Sequence, residues 1–218
     1  EELVGYVTKG VTTLCLFLML FAIERSGKSE YLCELENAIK LNEEMIDKAE
    51  ELISQNYKSF SSMPHAYFCG AGANYGTALE GALKVGETIH IPSCCFETEE
   101  YIHGPNLQLT PEYTVILFDG NDIASERVKQ IYLASKAVSD KVFLLSNHAD
   151  LIEDSHVLSL SGKVASECSP IVYLPFIQLL SYRISNDLNS SKQHPLLKEF
   201  KKIASAKTEN FVNYDEDD

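Results

Sequence analysis

The chain has 218 residues, of which 45% are hydrophobic, and its formal net charge is −14. This composition predicts a globular protein with a packed core. The strong negative charge argues against nucleic acid and anionic membranes as partners, because clustered Lys and Arg bind both. The most hydrophobic run, Leu14 to Ile23, is about half the length needed to span a bilayer. We therefore expect no membrane partner and a buried helix at this run.

Six cysteines are scattered without the C-x-x-C spacing or the nearby histidine pairs of a zinc site. We expect neither a metal site nor a disulfide framework, and we interpret the cysteines as reduced thiols. No signal peptide is recognisable, so we expect a cytoplasmic protein. The cysteines are Cys15, Cys33, Cys69, Cys94, Cys95 and Cys168.

A connector is predicted after the N-terminal apolar run. Residues 28–57 carry apolar side chains at helical spacing among many acidic ones, which indicates an amphipathic segment of one or two helices. The sequence SFSSMP at 59–64 then breaks the pattern. We assign residues 27–62 to this helical connector and residues 63–192 to the domain that follows.

A strand, a glycine turn and a helix are predicted next. The apolar run Ala66–Cys69 precedes a Gly-Ala-Gly turn, and helical spacing follows from Tyr75 to Thr88. Such a turn points backbone N–H groups and the positive end of a helix dipole at the sheet edge where parallel α/β proteins bind anions. Gly72, Asn74 and Tyr75 are therefore candidate substrate-binding residues.

The glycine spacing does not indicate a dinucleotide. Gly70, Gly72 and Gly76 are one residue further apart than the dinucleotide-binding fingerprint, and no acidic residue ends a second strand where that fingerprint needs one. We therefore expect neither a nicotinamide nor a flavin cofactor.

The remaining strands and helices alternate. Apolar runs at 113–118, 141–145 and 156–160 predict strands, and the patterns at 123–138 and 170–184 predict helices, the first with Ile123 facing inward. Alternation with continuous apolar strands is typical of a parallel sheet that is covered on both faces. The predicted fold class is α/β, a doubly wound parallel sheet of about five strands.

The sequence ALEGALKVGE at 78–87, followed sixteen residues after Glu87 by His103-Gly104-Pro105, resembles the sugar isomerase (SIS) domain family. It is most similar to the second SIS domain of glucosamine-6-phosphate synthases and of fructosamine-6-phosphate deglycases. The resemblance covers most of residues 63–182 and implies the same doubly wound sheet. It also implies that Glu87 and His103 act on an open-chain ketose phosphate.

The chemistry of such a substrate explains these residue types. Moving a carbonyl between neighbouring carbons needs a base that takes a proton from one carbon and returns it to the next, which suits the carboxylate of Glu87. Opening the sugar ring needs a group that titrates near neutrality, which suits the imidazole of His103. Glu100 falls on the same helical face as His103 and could orient it or bind substrate; a solvated charge is the alternative.

The N-terminus resembles the end of a first SIS domain. The sequence TKGVTT from position 8, before the apolar run, matches the head of that domain's closing helix, and Glu2 occupies the family's acidic position. We interpret residues 1–26 as the remnant of a first SIS domain, with Glu2, Gly5 and Val7 facing the substrate. The alternative is that these residues simply pack on the one domain present.

The C-terminus, residues 193–218, is predicted as a helix to about Ile203 and a tail. Its Ala206-Lys207-Thr208 resembles the loop that covers the sugar in the synthases, which makes Lys207 a candidate for binding the carbonyl or phosphate, or for a Schiff base. The spacing from His194 is longer than in the synthases, so Lys201 and Lys202 are alternatives.

Residues 118–122 stand where the family has a Ser- and Thr-rich phosphate loop. This segment, FDGND, carries two acids instead, which would repel phosphate. The main phosphate-binding site is therefore expected in the first SIS domain.

Three functions remain open. The sequence EEYIHGP at 99–105 resembles most the fructosamine-6-phosphate deglycases. These enzymes release glucose 6-phosphate and an amino acid from a ketoamine without a metal or organic cofactor. The alternatives are the isomerase part of a glucosamine-6-phosphate synthase or related aminosugar-phosphate enzyme, and a non-catalytic module that senses a sugar phosphate. SIS proteins commonly dimerise, so the expected partners are a small sugar phosphate and further copies of the chain.

Overall fold

The fold is an open parallel sheet, seen in a computed structural model that describes residues 8–190 and 196–204. The five strands lie in the order β2-β1-β3-β4-β5, and every neighbouring pair is parallel. This confirms the predicted doubly wound α/β sheet. The strands are β1 (Ala66–Gly70), β2 (Ser93–Glu97), β3 (Thr114–Phe118), β4 (Val142–Leu145) and β5 (Val157–Leu158).

Helices cover both faces of the sheet. The helices of the described residues are α1 (Lys9–Ser26), α2 (Tyr31–Gln55), α3 (Tyr57–Ser61), α4 (Asn74–Ile89), α5 (Thr98–Ile102), α6 (Ser125–Lys136), α7 (Ser169–Asp187) and α8 (Leu197–Ile203). Side chains of α2, α4 and α7 form one core with Phe68 of β1. Tyr67 and Cys69 of the same strand point to the other core, which includes side chains of α5 and α6. Because side chains alternate along a strand, the central strands are buried on both faces.

The predicted connector contains α2 and the short α3, and the inner face of α2 belongs to the first core. Asn42 Nδ2 donates a hydrogen bond of 2.6 Å to the carbonyl of Ile171 in α7. Glu50 of α2 pairs with Arg183 of α7. The helix is thus an integral layer of the domain.

Helix α1 forms where the apolar run predicted it, but the prediction that it is buried is wrong. None of its side chains is fully buried, and Leu14, Phe17, Leu18 and Phe21 are each 54–61% exposed. The reason is that only its inner side rests on the first core, while the outer side has no cover among the described residues. Within residues 8–190 and 196–204, no helix has the length and hydropathy of a membrane span.

The prediction that Ile123 faces inward is also wrong, since its side chain is fully exposed. Helix α6 begins later than the pattern suggested, at Ser125, after a turn in which Asp122 Oδ1 accepts a 2.8 Å hydrogen bond from the N–H of Ala124. The other residues predicted inward, Val128 and Ile131 among them, are buried.

Candidate functional site

The glycine turn at the end of β1 directs the chain into α4. A Cβ on Gly70 would lie 2.2 Å from the carbonyl oxygen of Asn74, and Gly72 has φ of +54°. Both positions therefore require glycine. The turn lies where the strand order in the sheet reverses, between β1 and β3, which is the usual ligand position in such folds.

The polar groups at this position bind one another. The buried Asn74 amide donates to Ser169 Oγ at 2.8 Å and accepts from Thr77 Oγ1 at 3.0 Å, so this predicted substrate-binding residue joins α4 to α7. Tyr75, also predicted to bind substrate, is 37% exposed on the first turn of α4.

Asp119, in the acidic loop after β3, is likewise hydrogen-bonded within the chain. The fully buried carboxylate of Asp119 accepts hydrogen bonds from the N–H of Asn121 at 2.9 Å, from Ser125 Oγ at 2.8 Å and from Ser146 Oγ at 2.6 Å. His148 Nε2 lies 3.0 Å from the same Ser125 hydroxyl. A buried carboxylate in a closed network favours no anion here, in line with the expectation that residues 118–122 do not hold phosphate.

A row of charges lies on α4. Lys84 is almost fully buried, and its Nζ lies 3.3 Å from Glu87 Oε2 and 3.6 Å from Glu80 Oε1. Positions 80, 84 and 87 share one helical face. Burial raises the pKa of Glu80, and the positive charge of Lys84 partly opposes this. Glu80 Oε1 is buried and accepts no hydrogen bond of normal geometry among the described residues.

Sequence reasoning missed Glu80 and Lys84. The signal was present, because these charges recur at i, i+4 and i+7 on a helix built otherwise of small and apolar residues. The glutamate that was predicted, Glu87, keeps 37% of its side chain exposed. It is therefore held by a buried cation and still open to a ligand.

Glu87 borders an open groove of about 730 Å³ between α4 and the edge strand β2. Its lining is mostly apolar and includes Leu79, Leu83, Gly86 and Phe96. A second hollow, between α1 and the start of α2, has Glu24 as its one ionisable side chain. Of these two hollows, we place the candidate site at the first groove, because there a proton-transfer group meets a buried countercharge.

His103 lies on the other side of the sheet. It follows α5, which packs with the second core, whereas Glu87 is on α4, which packs with the first. Glu87 stands beside the start of β2, where Ser93 Oγ donates a 2.6 Å hydrogen bond to the carbonyl of Ala82. His103 follows the end of that strand, and five strand residues span about 13–17 Å. The structure therefore does not bring Glu87 and His103 together within one chain.

His103 directly follows the last residue of α5. The residue is exposed, and its N–H donates to the carbonyl of Glu100 at 3.1 Å, which completes the turn of α5. The predicted neighbour Glu100 is exposed. Glu99, which sequence reasoning passed over, is paired with Arg127 of α6.

Four predicted site residues, Glu2, Gly5, Val7 and Lys207, lie outside the described residues. Ser190 is the last described residue before position 191, and its hydroxyl donates a 2.5 Å hydrogen bond to the carbonyl of Thr88, the residue after Glu87. Among the described residues, no cluster of three or more His, Cys, Asp or Glu side chains could hold a metal ion.

The fold and the groove define a doubly wound α/β domain with a carboxylate and a buried lysine on one helix beside an edge strand. Residues 59–155 match the family model described as "SIS domain", and the doubly wound parallel sheet is consistent with the fold of that family. The chain is similar to the aminotransferases described next.

Curated relatives support this assignment. A glutamine–fructose-6-phosphate aminotransferase (isomerizing) of Salmonella typhi is 30% identical over 199 residues, which cover 82% of this chain and 31% of that protein. One of Xylella fastidiosa (strain Temecula1) is 29% identical over 175 residues, 74% of this chain and 27% of that protein. The chain thus spans less than a third of the length of either relative.

Solved structures share the fold. A protein of Clostridium difficile 630 that is provisionally assigned as a phosphosugar isomerase superposes with a TM-score of 0.81 at 24% identity, covering 95% of this chain and 61% of that one. A glucosamine-6-phosphate deaminase of Thermotoga maritima gives a TM-score of 0.70 at 21% identity, covering 86% and 54%.

Proposed function

We propose that the chain is the catalytic part of a fructosamine-6-phosphate deglycase. The observation that carries this proposal is the half-exposed Glu87 carboxylate, held at 3.3 Å by the buried ammonium of Lys84, on the border of an open groove. The choice of a deglycase among sugar-phosphate SIS enzymes is supported by the sequence EEYIHGP at 99–105.

The proposed reaction is a proton transfer followed by hydrolysis. Glu87 takes a proton from C1 of the ketoamine and returns it to C2, so that the enaminol becomes an imine at C1. Water adds to that imine, and the C1–N bond breaks to release the amino acid and glucose 6-phosphate. Lys84 orients the carboxylate of Glu87 from inside the domain. His103 opens the sugar ring and exchanges protons with the leaving amine.

Two copies of the chain are needed to unite these residues. Glu87 and His103 lie on opposite faces of one sheet, so in this proposal His103 of a second copy enters the groove that Glu87 borders. The exposed apolar side chains of Leu79 and Leu83 along that groove support a contact there. The oligomer is thus part of the proposed site.

The termini complete the proposal. We propose that residues 1–26 belong to a first SIS domain that covers the exposed side of α1 and brings Glu2, Gly5 and Val7 to the substrate. Lys207 would reach the sugar from Ser190, since the segment between them starts next to the helix of Glu87. The cytoplasmic location and the absence of a cofactor stay predictions.

The first test is release of amino acid and glucose 6-phosphate from fructoselysine 6-phosphate by the full natural chain. We expect Glu87→Gln and His103→Ala each to lower kcat by about 10²-fold or more, the scale of a lost proton-transfer group. Glu112→Gln, at an exposed glutamate away from the groove, is the matched control and should keep full activity. Turnover by Glu87→Gln at the parent rate would refute the assignment.

Mixing the two inactive variants tests the shared site. If each site takes Glu87 from one copy and His103 from another, random mixed dimers hold one intact site in two, and activity returns to about a quarter of the parent's. If both residues act within one copy, every dimer stays inactive.

A second candidate is aminosugar-phosphate isomerisation, favoured by the aminotransferases among the relatives. Turnover of fructose 6-phosphate with an amine donor, without release from fructoselysine 6-phosphate, would move the assignment there. Sugar-phosphate binding without either reaction would leave the sensing module.

A further inference from the structure

The groove beside Glu87 has an apolar wall on α4. Leu83 and Leu79 stand four and eight residues before Glu87, so the three side chains form one row along the helix, with about 5–6 Å between neighbours. Leu83 is 56% exposed and Leu79 is 46% exposed, and both line the groove. An apolar row therefore begins one helical turn from the Glu87 carboxylate and runs towards the start of α4.

The described lining of the groove carries no positive charge. Among the described residues that line it, Glu87 is the one carboxylate, and none is Lys, Arg or His. The opposite wall is the edge strand β2, whose exposed Cys94 lines the groove. Lys84, which pairs with Glu87, is 3% exposed and does not line it. An anionic group in the groove would therefore lie beside a carboxylate, without an exposed cation to balance its charge.

These charges decide how a ketoamine phosphate lies at Glu87. In the proposed reaction Glu87 moves a proton between C1 and C2, so both carbons lie beside its carboxylate. The nitrogen and its substituent are bonded to C1, whereas the phosphate is on C6, at the far end of the sugar. A phosphate among apolar side chains and beside a carboxylate is unfavourable, and an apolar substituent in the same place is favourable. The nitrogen substituent, and not the phosphate, therefore points into the groove.

We propose that the groove is the binding subsite for the substituent on the ketoamine nitrogen. It takes an unbranched alkyl chain along Leu83 and Leu79, and it disfavours a carboxylate next to the nitrogen, because Glu87 lies there. The inference rests on the proposed function and names its substrate class, the phosphorylated ketoamines of alkylamines. Leu83 is the specificity-determining residue, since it is the first apolar side chain of the row after Glu87.

The groove is large enough for this ligand. Its volume is about 730 Å³, and pockets that bind small molecules measure about 300–1,000 Å³. The row from Glu87 to Leu79 covers about 12 Å of helix at 1.5 Å per residue, which accommodates an extended chain of several carbons. The substituent lies along this row, and the side chain of His103 from a second copy lies at the Glu87 end.

The ketoamine 6-phosphates of methylamine, pentylamine and norleucine test the subsite. Methylamine and pentylamine differ in chain length alone, and norleucine is pentylamine with a carboxylate on the carbon next to the nitrogen. Calorimetry on the His103→Ala variant of the full natural chain measures their dissociation constants while turnover is slow. We expect the pentylamine compound to bind about tenfold more tightly than the methylamine compound, as for half-buried methylenes. It should also bind about tenfold more tightly than the norleucine compound, as for two like charges near a protein surface.

Substitution of Leu83 tests the residue that sets this preference. Leu83→Asn should lower the preference for pentylamine over methylamine to about threefold or less. Leu133→Asn, at a leucine of α6 that is 47% exposed, is the matched control and should keep the preference. Equal binding of the pentylamine and methylamine compounds would overturn the proposal, and so would equal binding of the pentylamine and norleucine compounds. If Leu83→Asn dissociates the oligomer in light scattering and leaves the preference unchanged, the row belongs to the contact between copies and the proposal fails.

Turnover is a separate readout from binding. The parent chain should release pentylamine and glucose 6-phosphate from the pentylamine compound. Selective binding without release would keep the subsite and reject the deglycase, whereas release without selectivity would keep the deglycase and reject the subsite. Absence of binding for all of these compounds would reject both.

Discussion

Two polar regions of this domain each carry a carboxylate, and the two carboxylates differ in what they bind. At the carboxyl end of β3, Asp119 is buried and its carboxylate accepts three hydrogen bonds from the chain itself. On α4, Glu87 shares one buried lysine and keeps more than a third of its side chain open to the groove. Both are carboxylates on a SIS scaffold. A structural carboxylate is therefore distinguished from a candidate catalytic one by its hydrogen-bond and ion-pair partners. Its position at the carboxyl edge of the sheet, where ligands usually bind, does not distinguish them.

The largest expected effect comes from removing the lysine between the two glutamates. Lys84→Met would leave the part-buried Glu80 without its countercharge, and breaking a buried pair in this way costs about 3 kcal/mol. The matched control is Lys129→Met, at an ion pair with an exposed partner, where we expect about 0–1 kcal/mol. Urea unfolding measures both, and equal losses would contradict the distinction between the two pairs.

A smaller loss of stability is expected at Asp119, without loss of chemistry. Asp119→Ala removes three accepted hydrogen bonds, one of them from the buried Ser146 hydroxyl and two from part-buried donors, which should lower the free energy of unfolding by about 2–3 kcal/mol. Turnover per folded molecule should stay within about twofold, in contrast with the 10²-fold loss from Glu87→Gln. If Asp119→Ala abolished turnover in protein that remains folded, the carboxyl end of β3 would have to be counted as part of the site.

The smallest effect extends the comparison to a third carboxylate, Asp154. Burial raises its pKa, but hydrogen bonds from Lys136, the His156 N–H and Tyr132 outweigh this and hold the pKa at about 2. A carboxylate whose pKa is lower in the folded chain than in the unfolded chain stabilises the fold at pH values above the ordinary pKa of 3.8. This contribution is lost as the pH falls towards 2.

Asp154→Asn should therefore cost about 1–2 kcal/mol at pH 7 and much less near pH 2. Thermal or urea unfolding of the parent and the variant across this pH range measures it. A difference between them that stays constant with pH would show that the charge of Asp154 is not what stabilises the fold.

The sequence alone predicted the layers of the fold and one residue of the groove. Local sterics and the need to bury both faces of a sheet determine these elements. They account for the continuous apolar strands, the glycine turn after β1 and the helical spacing up to Thr88. Glu87 could be found because its motif is contiguous. Ile123 was misplaced because the turn at Asp122, and not hydrophobic spacing, decides where α6 begins.

Tertiary structure alone decided which groups meet. The burial of Lys84 depends on the layer that packs over α4, and the Glu99–Arg127 pair joins two helices through residues that are 28 positions apart along the chain. The separation of Glu87 from His103 depends on which face of the sheet each helix covers. Local spacing determines elements because backbone geometry repeats over a few residues, whereas the partner of a charge depends on contacts between elements that are distant in the chain.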